Sequence, residues 1–494
     1  MSAIGFDNQQ YLRLQSEQIR QRIAQFGGKL YLEFGGKLFD DYHASRVLPG
    51  FEPDSKIRML QQLRDDAEIV IAIKADDIEK SKVRGDLGIT YDEDVLRLID
   101  NFRAVGLYVG SVVLTQYNGQ AAANSFLKRL TALGIRCYRH YPIAGYPSDV
   151  AHIVSDDGLG KNDYIETSHS LIVVTAPGPG SGKMATCLSQ LYHEHKRGIT
   201  AGYAKFETFP IWNLPLKHPV NLAYEAATAD LNDVNMIDPF HLDAYGKTAV
   251  NYNRDVEIFP VLSTIFEHIQ GSSPYRSPTD MGVNTAGLCI TDDEACRAAS
   301  RMEILRRYYT ACVERIQGKC DDVPVRKLEL LMNQAGATAS IFPAISAALL
   351  KAETTGAPAG ALCFPDGRIV TGKTSDTLGA ASALLLNALK ALADIDDSID
   401  LIAAQVLEPI CELKTRYLLH NNPRLHTDEV LLALTISALT NPCAERAKEQ
   451  LSRLRGCDAH FTVILSDEDE SLLKRLGINV SCEPQYEHAR LFHK

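Results

Sequence analysis

The first third of this 494-residue chain alternates apolar runs with amphipathic segments. The apolar runs are rich in β-branched residues and are typical of buried strands. They lie in "KLYLEFGG" (29–36), "AEIVIAIKA" (67–75), "LYVGSVVLTQY" (107–117), "IRCYRHYPI" (135–143) and "SLIVVTA" (170–176). Segments 91–106 and 120–134 lie between them, read as helices and end near a glycine, as helices often do. This alternation predicts an α/β fold whose N-terminal sheet is doubly wound and mostly parallel.

The pattern loosens between residues 200 and 290, where prolines interrupt it, and helical patterns then cover 292–318 and 324–336. Residues 360–373 read as a hairpin that turns at Asp366-Gly367, and a helix is predicted to follow over 375–395. We therefore predict three domains: an α/β domain with a phosphate-binding loop (1–230), a mostly helical connector or insert (231–338), and an α/β C-terminal domain (339–494).

Composition narrows the class of protein. The chain is 45% hydrophobic and 23% charged, as in globular proteins, and its net charge of −11 argues against a surface that coats nucleic acid. It contains no apolar run of about 18 residues and no secretory signal, so we expect no membrane partner. Eleven cysteines without a CxxC pair indicate reduced thiols and a cytoplasmic location. We also expect a homo-oligomer, although the sequence does not give the number of subunits.

The fifth apolar run leads into "APGPGSGKMAT" (176–186), which has the parts of a phosphate-binding loop. Glycines permit a tight bend, backbone N–H groups and a lysine face the anion, and a helix begins at once. The predicted phosphate-binding residues are Gly178, Gly180, Ser181, Gly182, Lys183 and Thr186. The loop departs from the usual GxxxxGK[ST] pattern, because Pro177 replaces the first glycine and Met184 replaces the hydroxyl that touches magnesium. The alternative is a glycine–proline turn with a solvated lysine.

A second stretch, "GRIVTGKT" (367–374), matches that pattern at every letter. Its middle residues are β-branched and leave a hairpin turn, so they favour extended backbone over a cradle. We therefore interpret this match as accidental, and the alternative is a simple anion site at the helix start after Lys373.

Three acidic or basic residues lie in the segment 33–51, which leaves the first strand, and are candidates for general acid–base chemistry: Glu33, Asp41 and His43. Ligands of parallel sheets bind at the carboxyl ends of strands, where these side chains would emerge. Asp238 ends the run "VNMID" and resembles the strand-end acid that holds magnesium in phosphate-loop proteins, although Asn235 interrupts the run. The alternative for Glu33, Asp41 and His43 is an ordinary solvated loop, and the alternative for Asp238 is an acid that follows a short apolar run by accident.

Two polar loops complete the candidates. "YRSPTDMGVN" (275–284) supplies Arg276, Thr279, Asp280 and Asn284 as substrate-binding residues, because dense polar loops often bind ligands. The long segment 140–170 is also expected to be functional. No two of its histidines have metal-ligand spacing, so no metal site is predicted.

The chain also resembles a family that is known only by number. The stretches that carry the resemblance are "EFGGKLFDDYHASRVLPGF" (33–51), "APGPGSGKMATCLSQLYHE" (176–194), "WNLPLKHPVNLAYEAATADL" (212–231) and "SPTDMGVN" (277–284). On these residues the chain is identified as a member of the domain-of-unknown-function family eighteen forty-six. The resemblance implies an N-terminal α/β domain, a helical segment and a C-terminal domain similar to cytidine deaminases. That C-terminal domain lacks the zinc signature, and the resemblance implies no established reaction.

Together these features favour an enzyme that binds a nucleotide or another phosphate-bearing small molecule at the variant loop. A phosphotransferase or an NTP-hydrolysing enzyme is the reaction class that fits the loop, with ATP and magnesium as its candidate cofactors. One alternative is a metal-independent enzyme acting on a phosphorylated metabolite. The other is a non-catalytic assembly protein in which the glycines only form a turn.

Overall fold

A computed structural model describes residues 4–39, 41–84, 87–231 and 233–487. The described residues form two compact units. The larger unit contains residues 4–225 and 233–297, and the smaller unit contains residues 226–231 and 298–487. Among the described residues, no helix is both long enough and apolar enough to cross a membrane.

The strands of the described residues are short and are numbered in chain order. They are β1 (Leu30–Phe34), β2 (Ala67–Lys74), β3 (Val83–Arg84), β4 (Ile89–Thr90), β5 (Tyr108–Thr115), β6 (Arg136–Arg139), β7 (Leu171–Thr175), β8 (Gly202–Phe206), β9 (Asn235–Ile237), β10 (Val250–Tyr252), β11 (Gly282–Val283), β12 (Ala359–Cys363), β13 (Ile369–Lys373), β14 (Asp458–Phe461) and β15 (Asn479–Cys482).

The α-helices are numbered in the same way. They are α1 (Asn8–Gln25), α2 (Tyr42–Val47), α3 (Ser55–Gln61), α4 (Ala75–Glu79), α5 (Tyr91–Ala104), α6 (Ala121–Ala132), α7 (Val150–Ile153), α8 (Lys183–Lys196), α9 (Pro219–Ala227), α10 (Pro239–Tyr245), α11 (Asn253–Gln270), α12 (Pro278–Met281), α13 (Asp293–Ile316), α14 (Asp322–Ala335), α15 (Pro343–Thr355), α16 (Ala380–Leu392), α17 (Ala404–Glu412), α18 (Thr427–Ser437), α19 (Pro442–Lys448) and α20 (Asp467–Arg475). A π-helix over Leu413–Tyr417 continues α17.

A seven-stranded sheet organises the larger unit, in the order β11-β8-β1-β7-β2-β5-β6. Every neighbouring pair runs parallel. The predicted α/β class and mostly parallel sheet are therefore confirmed. Strand β1 lies between β7 and β8, so the segments that follow these three strands leave the sheet at one edge. Ligands of parallel sheets commonly bind at such a reversal of strand order.

Burial explains why these strands are so apolar. All five residues of β1, of β7 and of β8 are buried, as expected where helices cover a parallel sheet. Each fully buried Val, Leu or Ile side chain contributes about 1.5–3 kcal/mol. Helix α8 packs on β1, β7 and β8 and also contacts α11. A charged side chain in these strands is therefore exceptional, and two occur near the carboxyl edge, Glu33 and Lys205.

The smaller unit contains a four-stranded sheet in the order β13-β12-β14-β15. Strand β12 is antiparallel to both neighbours, whereas β14 and β15 are parallel. The predicted hairpin is confirmed, with Gly367 at φ +87° in its turn. The pattern-matching stretch 367–374 runs along β13, so its backbone is extended and forms no phosphate cradle.

The five strands expected from the sequence are all present as β1, β2, β5, β6 and β7. The sequence pattern missed β8 and α11 in the region interrupted by prolines. The division into three domains stays a prediction.

Candidate functional site

A glycine loop joins β7 to α8 at the carboxyl edge of the sheet. Gly180 and Gly182 adopt left-handed backbone, with φ of +71° and +82°, and Gly182 caps α8. Gly178 is required by packing, because a Cβ atom there would overlap the Tyr91 side chain. The glycines therefore allow both the bend and its close approach to neighbouring elements.

The loop is also held by hydroxyl groups. Thr115 at the end of β5 donates to the Ser181 carbonyl over 2.8 Å. Ser181 donates from its own hydroxyl to the Gly178 carbonyl, and Thr186 donates to the Gly182 carbonyl, each over 2.9 Å. Both side chains are fully buried. The hydroxyls of Ser181 and Thr186 thus brace the loop from within.

The backbone N–H groups of residues 180–185 donate to none of the residues that the structure describes. They belong to the bend and to the first turn of α8, where the helix dipole is positive. Lys183 begins that helix and is half-buried. Unpaired N–H groups and an adjacent ammonium group give this segment a strong preference for an anion.

The Lys183 ammonium group forms no hydrogen bond or ion pair with a described residue. Burial lowers the pKa of Lys183, and the nearby Lys205 ammonium lowers it further, while the Glu33 carboxylate acts in the opposite direction. An anion bound near Lys183, in addition to the Glu33 carboxylate, would therefore be stabilised by the ammonium group.

Glu33 lies at the end of β1, next to the strand that leads into the loop. Its register partners are Val174 on β7 and Lys205 on β8. The Tyr203 hydroxyl donates to Glu33 Oε2 over 2.7 Å. This bond joins the side chains of β1 and β8 near the carboxyl edge of the sheet.

Lys205 is the centre of a buried charged cluster. Its ammonium group contacts the Asp255 carboxylate, the Tyr252 hydroxyl and, over 3.2 Å, Glu207 Oε1. Lys205 is 7% exposed and Asp255 is 4% exposed. Burial disfavours the Lys205 ammonium, but Asp255, Glu207 and Glu33 outweigh it and raise the pKa of Lys205. We call Lys205, Glu207, Tyr252 and Asp255 the Lys205 cluster.

Within this cluster the pKa of Glu207 is raised above its ordinary value. Burial raises the pKa of Glu207, and the Asp255 carboxylate raises it further against the opposing effect of Lys205. Two carboxyl groups that face one ammonium compete for it, so the pair holds a proton more readily than an exposed carboxylate does.

A small, partly open cleft adjoins the glycine loop. Its lining comes from α8, from the end of β5 and from the predicted functional segment 140–170, and includes Thr115, Gln116, His140, Tyr146, Gly182 and Ala185. Gln116 has φ +53°, a strained value for a non-glycine residue. Glu33 contributes to the raised pKa of Tyr146, so the cleft lies close to the end of β1. Its volume of about 50 Å³ is enough for a few water molecules and lies below the range of about 300–1,000 Å³ that is usual for small-molecule sites.

His140 in this cleft is neutral. Burial lowers the pKa of His140 to about 3. Its Nε2 atom lies 3.2 Å from the Asp163 carbonyl oxygen and donates to it.

The structure gives Asp41 a structural position. Asp41 caps α2 by accepting from the Ala44 N–H group over 3.2 Å, and it lies 2.7 Å from Lys56 Nζ. Burial opposes ionisation, but Lys56 and His43 hold the pKa of Asp41 below its usual range. His43 packs edge-on against Phe209, with ring centroids 5.5 Å apart.

Asp238 uses both oxygens inside the protein. Oδ1 accepts from the His241 N–H group over 3.0 Å and caps α10. Oδ2 accepts from the Thr279 hydroxyl over 2.6 Å and from the Thr279 N–H group over 3.2 Å. This fully buried carboxylate therefore ties α10 to the loop at 275–284.

The other predicted substrate-binding residues stabilise the same region. Asp280 accepts from the Tyr245 hydroxyl over 2.9 Å and from the Arg276 N–H group over 3.1 Å. Asn284 is buried and donates to the Pro210 carbonyl over 3.0 Å. The exposed Arg276 guanidinium lies over the Tyr245 ring. Among the described residues, none of these substrate-binding candidates contacts the glycine loop.

Sequence reasoning missed Tyr203 and the Lys205 cluster. One signal was available, because "GYAKFETF" (202–209) places a lysine inside an apolar run and a glutamate two residues later. Among the residues described, no group of three or more His, Cys, Asp or Glu side chains could hold a metal ion.

Comparison with known proteins gives one consistent result. A family model described as "Domain of unknown function DUF1846, N-terminal" matches residues 4–336, and its C-terminal counterpart matches residues 340–492. A UPF0371 protein of Streptococcus equi subsp. equi (strain 4047) is 59% identical over 492 residues, which cover 100% of each chain. A UPF0371 protein of Streptococcus thermophilus (strain ATCC BAA-250 / LMG 18311) is 58% identical over 494 residues, again covering 100% of each chain.

Proposed function

The chain belongs to the DUF1846 family, and we propose that it is an enzyme that binds a phosphate-bearing small molecule at Gly180–Lys183. The observation that carries this proposal is the coincidence, in one loop, of a helix start with backbone N–H groups and an ammonium group that have no hydrogen-bond partner among the described residues. Charge-assisted hydrogen bonds from such groups are about twice as strong as neutral ones.

The charged side chains near the loop support an enzyme rather than a simple anion site. Glu33 lies near the end of β1, which neighbours β7, and Lys205 lies near the end of β8, one strand further along the sheet. Displaced pKa values such as those of Lys205 and Glu207 are common in active sites.

The loop favours a reaction without magnesium over ATP-dependent phosphotransfer. In phosphate-loop enzymes a Ser or Thr hydroxyl after the lysine contacts the metal, and here Met184 stands at that place. The nearby hydroxyls of Ser181 and Thr186 already donate to carbonyl groups of the loop. A phosphorylated metabolite is therefore the better substrate class, with a nucleotide as the alternative.

A non-catalytic role in assembly is the second candidate, and one observation favours it. Helix α18 and the residues that follow it expose an apolar stripe of Leu432, Ile436 and Leu439, whose exposed fractions are 67%, 58% and 82%. Such stripes commonly mark contacts between proteins. In this version the smaller unit, which we infer to be of the deaminase type from its hairpin and following helix, serves binding or self-association.

Calorimetric titration separates the candidates. Parent protein is titrated with ATP, ADP and a hexose phosphate, each with magnesium and with EDTA. Binding that persists in EDTA supports the phosphorylated metabolite, whereas binding that requires magnesium supports the nucleotide. Lys183→Ala should weaken binding about 10- to 100-fold, because a hydrogen bond to a charged group is worth about 1.5–3 kcal/mol.

The matched control is Lys128→Ala, which removes an exposed lysine from α6 of the same unit. This variant should bind like the parent. Equal binding by the parent and Lys183→Ala would show that the loop is not the phosphate site.

A further inference from the structure

The Lys205 cluster is formed by two segments, 205–207 and 252–255, that are distant in sequence. Lys205 lies near the end of β8, Glu207 follows that strand, and Asp255 lies in the first turn of α11. The Lys205 ammonium is directed between the two carboxylates and also lies over the Tyr252 ring, 4.4 Å from its centroid. This packing fixes both carboxyl groups on one cation.

The charges around this point do not balance. Three carboxyl groups (Glu33, Glu207 and Asp255) interact with two ammonium groups (Lys183 and Lys205). Among the described residues, other titratable groups near these charges are Tyr146, Cys187, Tyr203 and Tyr224, whose pKa values are raised by burial. Tyr252 contacts Lys205, and Asp233 is paired with Arg254. A buried excess of one negative charge is costly, and a proton retained by the carboxyl pair removes it.

The strand order gives the approximate distance between the glycine loop and the cluster. The loop follows β7, Lys205 is on β8, and Glu33 on β1 lies between them. Neighbouring strands are about 4.8 Å apart, so β7 and β8 are separated by about 10 Å. A phosphate held at the loop would place a group a few carbon atoms away within reach of Glu33 and the cluster.

We propose that the Glu207–Asp255 carboxyl pair, held by Lys205, is the proton-transfer centre of this site, and that the substrate is a phosphate ester with a hydroxyl or carbonyl group a few carbons from the phosphate. This inference rests on the proposed phosphate site at Gly180–Lys183. The raised pKa of Glu207 agrees with it.

The proton transfer is simple to balance. The O–H bond of the protonated Glu207 carboxyl breaks, and its proton forms a bond to the substrate oxygen. The electron pair stays on Glu207, which becomes a carboxylate paired with Lys205. No oxidant or second reactant is involved, and the return of the proton restores the cluster.

Proton-linked calorimetry tests the inference. Parent and Glu207→Gln are titrated with a hexose 6-phosphate between pH 6 and 9, in buffers that differ in ionisation enthalpy. The number of protons exchanged on binding follows from the dependence of the heat on the buffer. The ligand phosphate changes its protonation equally in both proteins. Its contribution therefore cancels when the number of protons exchanged by Glu207→Gln is subtracted from that of the parent. We expect the two proteins to differ by up to about one proton at the pH where Glu207 titrates.

Glu257→Gln is the matched control, because Glu257 is exposed on α11 two residues after Asp255. It should exchange the same number of protons as the parent. Asp255→Asn provides a second test if Glu207→Gln does not fold, and it should also change the number of protons exchanged. Equal proton exchange by the parent and a folded cluster variant that both bind the ligand would overturn this inference alone and leave a purely structural ion cluster. Absence of binding by the parent would overturn the proposed function as well.

Discussion

The Thr115 hydroxyl donates to the Ser181 carbonyl over 2.8 Å and thereby attaches the glycine loop to the end of β5. The same side chain limits the space beside the next residue, since a Cβ atom on Gly182 would lie 3.0 Å from Thr115. The conformation of the loop thus depends on a strand that lies two places away from β7 in the sheet.

Replacement of Gly182 by alanine should therefore cost more than replacement of Gly180. Both glycines have positive φ, which costs an alanine about 1–2 kcal/mol. Only Gly182 also meets Thr115, and such overpacking typically adds about 1–3 kcal/mol. Urea unfolding followed by the fluorescence of Trp212, the single tryptophan and a residue of the larger unit, measures the difference. Equal losses for the two variants would show that Thr115 does not restrict the loop.

Glu207 should make the larger unit less stable as the pH rises. Its pKa is raised in the folded protein, so the folded state holds a proton that the unfolded state has released. The contribution is complete below the ordinary glutamate pKa of about 4.3 and is lost as the pH rises through the raised value, with a slope of at most about 1.4 kcal/mol per pH unit. The Trp212 unfolding assay across this range should show a flatter profile for Glu207→Gln. Parallel profiles would contradict the raised pKa.

Lys205→Met should destabilise the larger unit by about 3–5 kcal/mol, because it leaves buried carboxyl groups without their cation. Adding Asp255→Asn and Glu207→Gln to this variant should restore part of the loss, since neutral residues need no counter-ion. The Trp212 assay compares the single and triple variants. A triple variant that is less stable than Lys205→Met would argue against electrostatics as the main contribution of the cluster.

Asp238→Ala should lower stability and leave ligand binding unchanged. Removal of a helix cap costs about 1 kcal/mol, and loss of the partner of the Thr279 hydroxyl adds about 1–3 kcal/mol. Asp243→Ala, at an exposed position of the same helix, is the control and should be close to neutral. Loss of ligand affinity in a folded Asp238→Ala protein would instead support the role expected from the sequence.

Much of the parallel sheet could be predicted from apolar runs, because buried parallel strands such as β2 and β7 leave a strong pattern. Strand β8 was missed because it lies in the proline-interrupted region and contains Lys205, whose burial depends on Asp255 fifty residues later. Helix α11 was missed because Pro260 lies inside it.

The site was harder to predict than the fold. The glycine loop was found from local residues, and its expected bend is present at Gly180 and Gly182. The pairing of Glu33 with Lys205 depends on strand order, which no local pattern reveals. The sequence Asp238-Pro239 can be a strand-end acid or a helix cap followed by proline, and the structure shows the cap.

The most direct test of the central claim is a crystal structure of the parent protein grown at high inorganic phosphate, paired with calorimetric titration of phosphate into the parent and Lys183→Ala. We expect tetrahedral density against the N–H groups of Gly180–Gly182 and Lys183 Nζ, and about 10- to 100-fold weaker binding by the variant. A loop without such density, together with equal phosphate binding by both proteins, would contradict the account.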